Sequence, residues 1–197
     1  FIVKCKSNNK LVVFSTLGKF YTINCSRVSS GRGFGDPISL LIDKNDNEEV
    51  LFFKIYEQDK EFLITSSAGK GFFVNSNDFI ASTKSGKKVM NLKDNDRAVS
   101  CAEKKGDLIV SISGEKKSFK LLAFNSSEIP NMQKGRGVTL QKFKSGKTHN
   151  AFCANSNEGI INERSKKVLL SAKDLKKWLG KRAQAGRIEP KNLHSKI

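Results

Sequence analysis

The sequence has no C-x-x-C pair among its four cysteines (Cys5, Cys25, Cys101, Cys153), and only two histidines, His149 and His194, far apart. That spacing excludes a sequence-readable zinc site and a disulfide framework, and leaves these residues structural or incidental. Proline is scarce, with three residues, and tryptophan occurs once, at Trp178. No run approaches the roughly 18 apolar residues of a membrane-spanning helix, so no integral membrane association is expected. The opening FIVKCKSNNK has no basic region followed by a long apolar core and is not read as a secretory signal. It lacks an initiator Met and reads as part of a longer polypeptide. Asn24-Cys25-Ser26 and Asn125-Ser126-Ser127 match the N-glycosylation pattern. Unpaired thiols point instead to a reducing compartment, the cytoplasm, where such matches are fortuitous.

Acidic residues are in short supply: 19 Asp and Glu stand against 36 Lys and Arg, for a net charge of +17. A surplus of that size points to a polyanionic partner, nucleic acid or an acidic membrane surface. A lysine-rich proteome is the other source of such charge. The acids gather in turn-like stretches such as DKNDNEE and KDNDR, which read as solvated loops. No Ser/His/Asp set, Cys/His set or paired-carboxylate site is recognisable. Gly146-Lys147-Thr148 resembles the end of a nucleotide-binding loop. That motif needs glycine at position 141, where Gln141 stands, and a helix where HNAFCA reads as strand. GRGFG at 31–35 lacks the βαβ surroundings of a dinucleotide fingerprint. Neither catalysis nor a bound cofactor is expected within these residues.

What the chain does contain is short β-type runs. LVVFS, KFYTI, ISLLI, EVLFFKIY, FLITSS, GFFVN, KVMNL, RAVSCAE, LIVSIS, FKLLAF, GVTLQKF, HNAFCA, GIINE and KVLLS follow one another, each bounded by Gly, Asn, Asp, Ser or Lys. Only SAKDLKKWL, from Ser171 to Leu179, reads as a helical turn. The fold class is all-β, and most of the 14 phenylalanines lie inside these runs, as core. Two landmarks recur in phase. Turns align on Gly18, Gly69, Glu115 and Ser165, and glycine-basic elements on Gly31, Gly86, Gly135 and Gly186. The period is about 50 residues with about four strands per repeat, the pattern of a propeller-like array whose blades pack face to face. The repeats fall near 8–58, 59–104, 105–155 and 156–197 of a single domain, with four to five blades expected.

The glycine-basic elements carry the candidate site. Glycine permits close backbone approach and removes neighbouring side chains, so a cation beside it can meet a phosphate directly. Repeated once per blade, such spots would line one edge of the array. The candidates are Arg32, Lys70, Lys87, Lys88, Lys116, Lys117, Lys134, Arg136, Lys166, Lys167, Lys181, Arg182 and Arg187. The stretch WLGKRAQAGRIEP, from Trp178 to Pro190, is then the fourth copy of the element.

These residues carry a family resemblance. The T-x-x-G-K turn, SSGRGFGDPISLL, SGKKVMNL, EIPNMQKGRGVTLQKFKSG and WLGKRAQAGRIEP together resemble the C-terminal domains of bacterial topoisomerase IV A subunits, and less closely those of gyrase A subunits. The resemblance covers nearly the whole chain and is strongest at 129–146 and 178–190. It implies a β-pinwheel, a propeller-like disc whose blades exchange strands, with duplex DNA bound and bent around a basic outer rim. It implies no catalytic residue here. ATP and Mg would be bound elsewhere in a holoenzyme made with the subunit's own catalytic core and an ATPase B subunit. The domain would be a monomer in the bacterial cytoplasm, on the nucleoid. Gyrase's Gln-Arg-Arg-Gly-Gly-Lys-Gly box is absent, with KGRGV and GKRAQAGR as degenerate echoes, which favours topoisomerase IV over a gyrase-type wrapping domain. Two other classes stay open: a propeller-type module for an acidic protein, which would show an exposed apolar face, and an RNA-binding β domain.

Overall fold

A computed structural model of the chain describes residues 2–29, 31, 35–115, 118–162, 165–190 and 193–196. Its strands are β1 (Lys10–Ser15), β2 (Lys19–Asn24), β3 (Val50–Ile55), β4 (Glu61–Ser66), β5 (Lys70–Asn75), β6 (Lys87–Lys88) and β7 (Ala98–Glu103). They continue as β8 (Leu108–Glu115), β9 (Ser118–Asn125), β10 (Val138–Thr139), β11 (Lys147–Ala154), β12 (Ile160–Ile161), β13 (Val168–Leu170) and β14 (Arg187–Ile188). The one α-helix among the described residues, α1 (Ala172–Leu175), lies in the stretch read as a helical turn and runs on into a 3-10 turn, Lys176–Trp178.

Three four-stranded antiparallel sheets follow one rule: β3-β1-β2-β6, β7-β4-β5-β10 and β11-β8-β9-β14. Each is built on a hairpin. The first hairpin strand takes the strand that follows the hairpin, and the second takes a two-residue strand donated from beyond the next hairpin. The blades therefore exchange strands. The hairpin β12–β13 forms a two-stranded sheet. Neighbouring blades converge where β3, β7 and β11 pack on one another, so those strands mark the axial edge. The donated strands β6, β10 and β14 stand at the opposite edge of each sheet, the rim.

Donation depends on glycine. Val138 pairs with Gly71, and Gly137 just before it has φ +74. A Cβ at Gly137 would come under 3.0 Å from the Gly71 carbonyl oxygen. Gly86 and Gly186 occupy the same position before β6 and β14. The landmark of the third repeat is thus Gly137, two residues beyond Gly135. Likewise the left-handed residue of the fourth hairpin turn is Lys166, φ +56, one beyond Ser165.

Strand alternation loads both faces of each blade. Val12, Phe14 and Phe20 of the first blade meet Phe62, Ile64, Phe72 and Val74 of the second. Phe20 stacks on Phe79 with ring centroids 4.0 Å apart. The opposite side of the second blade, Leu63 and Phe73, meets Ile109, Leu122 and Phe124 of the third. Each such side chain contributes about 1.5–3 kcal/mol by burial. The outer face of the first blade, Leu11, Val13, Tyr21 and Ile23, is covered by Ile38, Leu41 and Ile42. Tyr21 Oη there donates to the buried Glu48 carboxylate at 2.8 Å, and burial with that hydrogen bond pushes the phenol pKa upward.

Three strand readings change. ISLLI is not a strand: after Pro37 the chain forms a 3-10 turn, Ile38–Leu40. KVMNL keeps only Lys88 in a strand, paired together with Lys87 before it, and GVTLQKF keeps only Val138 and Thr139, because Val89, Met90 and Leu140 turn from the rim into the core. One of the apparent glycosylation sites, Asn125, also has a local explanation, whereas Asn24 makes no side-chain cap. β5 and β9 end in Asn75 and Asn125, whose side chains accept from the N–H groups of Asn77 and Ser127 and cap short 3-10 turns.

Candidate nucleic-acid interface

The rim is assembled by register. In the donated strands Lys88 lies opposite Lys19, Thr139 opposite Lys70, and Ile188 opposite Lys120. Lys167 occupies the matching place in the fourth hairpin, where its carbonyl accepts from the Asn162 N–H at 2.9 Å. Lys19, Lys70 and Lys120 therefore form one lysine per blade at the same position opposite the donated strand, and Lys167, just before β13, is their counterpart in the fourth repeat. Sequence reading found Lys70 and Lys167 and missed Lys19 and Lys120. The signal was available: each precedes the first buried residue of the second hairpin strand, as in GKF, GKG and SFK.

The first two rim positions differ in chemistry. Lys19 and Lys88 oppose each other directly, two cations on one face of a sheet. The Lys19 stem is half-buried and its Nζ stands 5.9 Å from the centre of the Tyr21 ring. Lys87, next to Lys88, is exposed and pairs with Phe20. On the second blade Lys70 Nζ donates to Thr139 Oγ1 at 2.6 Å. Arg182 reaches the same residue, donating from Nη1 to the Thr139 carbonyl at 2.9 Å.

Arg182 is therefore a strut as well as a charge. It is half-buried, its N–H donates to Glu128, and it ties the fourth repeat to a strand donated by the third. Lys134 holds the corresponding loop position one repeat earlier, where Gly135 N–H donates to the Val89 carbonyl, and it is exposed. Arg136, Lys166, Lys181 and Arg187 are exposed too. Arg187 is on β14 itself, paired with Leu121. Arg32, Lys116 and Lys117 lie outside the described residues. Gly146-Lys147-Thr148 opens strand β11, not a helix, and Gln141 is buried, donating to the carbonyls of Lys120 and Ala185.

Charge is separated across the blades. Around the axial strands Lys54 pairs with Glu57 and Glu103, Lys60 with the same two acids, Lys105 with Glu103, and Lys104 with Glu61. Burial raises the Glu103 pKa, but the Lys54 hydrogen bond and the nearby lysine charges outweigh it, so the carboxyl ends below its ordinary value. The Lys104 hydrogen bond lowers Glu61 in the same way. Among the described residues no ion pair uses Lys19, Lys70, Lys87, Lys88, Lys120, Lys134, Arg136, Lys166, Lys167, Lys181, Arg182 or Arg187. Of these, Lys70 and Arg182 are hydrogen-bonded to Thr139 instead.

Comparison with known proteins agrees with this architecture. The family model of the DNA gyrase C-terminal domain, beta-propeller, matches residues 60–102 and 123–146. The DNA topoisomerase 4 A subunit of Rickettsia felis is 40% identical over 194 residues, covering 98% of this chain and 26% of that protein. The chain is thus similar in sequence to gyrase A C-terminal domains and to topoisomerase 4 A subunits. The corresponding Rickettsia bellii protein is 42% identical over 192 residues, 96% of this chain and 25% of the relative. The chain spans about a quarter of the length of the curated relatives it matches. Its fold is that of the E. coli ParC C-terminal domain, with a TM-score of 0.80 at 23% identity over 97% of this chain and 80% of that one.

Proposed function

We propose that the chain is the duplex-DNA-binding and bending domain of a bacterial topoisomerase IV A subunit, holding a DNA segment around its rim and presenting it to the catalytic core. The observation that carries the proposal is the opposed pair Lys19 and Lys88. Like charges directly across a sheet are destabilising, and no acid in the described structure offsets them. A row of phosphates would. Recognition is then independent of base sequence: the lysines and arginines displace condensed counterions and hold the backbone.

Its partners in the holoenzyme are the catalytic core of the same polypeptide and the ATPase B subunit, with ATP and Mg bound outside this domain. The missing Gln-Arg-Arg-Gly-Gly-Lys-Gly box favours this assignment over a gyrase-type wrapping domain. The place of action is the nucleoid in the bacterial cytoplasm. No helix among the described residues is long and apolar enough to cross a membrane.

Fluorescence anisotropy with a duplex of about 30 base pairs, over a salt series, tests the proposal. Affinity should fall with a log–log slope of about −0.9 for each phosphate contacted. A slope near zero, or preference for single-stranded RNA over duplex, would overturn it.

A further inference from the structure

One rim position breaks the pattern. Where the first and second blades carry Lys88 and Thr139, the third carries Ile188. It is 74% exposed, so it adds almost nothing to the core. Its backbone is held firmly all the same. Trp178 Nε1 donates to the Ile188 carbonyl at 2.8 Å, Arg187 pairs with Leu121, and the Glu189 N–H donates to the Phe119 carbonyl at 3.0 Å. Lys120 lies directly across the strand pair, Arg187 precedes it, and Leu179, also exposed, follows the tryptophan. Lys176 and Lys181 nearby in the chain are exposed.

A firmly held apolar tip with Lys120 beside it on the same face of the sheet fits an anionic partner that can accept an apolar insert. A DNA duplex is such a partner, with a phosphate for Lys120 and a base stack beside it for Ile188. Side chains of this kind enter between base steps from the minor groove and kink the duplex, and the kink lets it follow more protein surface. Pyrimidine–purine steps open most readily. We propose that Ile188 is a wedge that unstacks one base step of the bound duplex and localises a kink at the third blade. The first and second blades, with Lys88 and Thr139, hold the backbone without unstacking. This inference rests on the rim being the duplex-binding surface.

The test uses the 197-residue chain and duplexes with 2-aminopurine at a single TA step. Base unstacking is read from 2-aminopurine fluorescence and affinity separately from anisotropy. Wild type and Ile188→Leu should both raise the fluorescence on binding. Ile188→Ser should bind within about threefold of wild type yet leave the fluorescence at the free-duplex level. Circular dichroism should be unchanged, since the side chain is exposed. Wild-type binding without a fluorescence rise, or a full rise with Ile188→Ser, overturns the wedge alone. Parallel loss of affinity and fluorescence in Ile188→Ser makes the residue an ordinary contact and also overturns it. Failure of the wild type to bind duplex removes the rim reading and the wedge together.

Discussion

Replacing Lys88 by glutamate should move stability and DNA binding in opposite directions. Lys88 faces Lys19 in the register between β2 and β6, with neither in an ion pair among the described residues. At about 6 Å in a water-like dielectric, two unit charges repel by about 0.7 kcal/mol. Lys88→Glu turns that repulsion into attraction. After the screening expected for exposed side chains, the gain is about 0.5–1 kcal/mol at low salt, fading as the Debye length shrinks. On DNA the same change removes a phosphate contact. The salt slope should shrink by about 0.9, and affinity at about 0.1 M salt should fall roughly tenfold, further if the new carboxylate meets a phosphate. Urea denaturation gives the first number and anisotropy the second. A variant less stable than wild type would refute the electrostatic reading of the pair. One that binds DNA as well as wild type would take Lys88 off the interface.

Three more outcomes follow from the same structure. Gly137→Ala should destabilise by more than about 2 kcal/mol in urea, because an L-residue at φ +74 is strained and its Cβ meets the Gly71 carbonyl; a loss under about 0.5 kcal/mol would mean the donated strand is not held as described. Arg182→Ala should lower stability by about 1–2 kcal/mol through the lost hydrogen bond to the Thr139 carbonyl, whereas Lys181→Ala should leave stability unchanged, and equal effects in the two would deny Arg182 its strut role. The folded-state pKa values of Glu61 and Glu103 lie below the ordinary 4.5, so their contribution is full above that pH and is lost as pH falls through the lowered values. Denaturation midpoints should therefore drop on acidification below 4.5, and Glu103→Gln should flatten that drop; an identical acid limb in the variant would contradict it.

Much of this was legible in the residues because the fold repeats. Glycine and lysine recur together, and a position needed once per blade is visible several times over. The all-β class follows from the short β-type runs, the propeller-like array from the repetition, and the strand exchange from the family resemblance. What stayed hidden depends on register. Lys19 and Lys120 are ordinary lysines in sequence and become rim residues only when β6 and β14 dock beside them. Gly135 and Gly137 differ by two residues, and only the approach to Gly71 distinguishes them. Ile38–Leu40 has the composition of a strand but no hairpin edge beside it, so it folds as a turn over Tyr21 and Ile23. Arg182 reads as one more surface cation until its guanidinium is found on the Thr139 carbonyl.

The central claim is that duplex DNA is held along the rim and curved by it. The most direct test is to seal nicked plasmid with ligase in the presence of the chain and read the linking-number distribution across a salt series. A shift at low salt that disappears as salt rises is the predicted result, since a duplex following a curved cationic edge acquires writhe only while its phosphates are held. An unshifted distribution at salt concentrations where anisotropy shows the chain bound would contradict the claim.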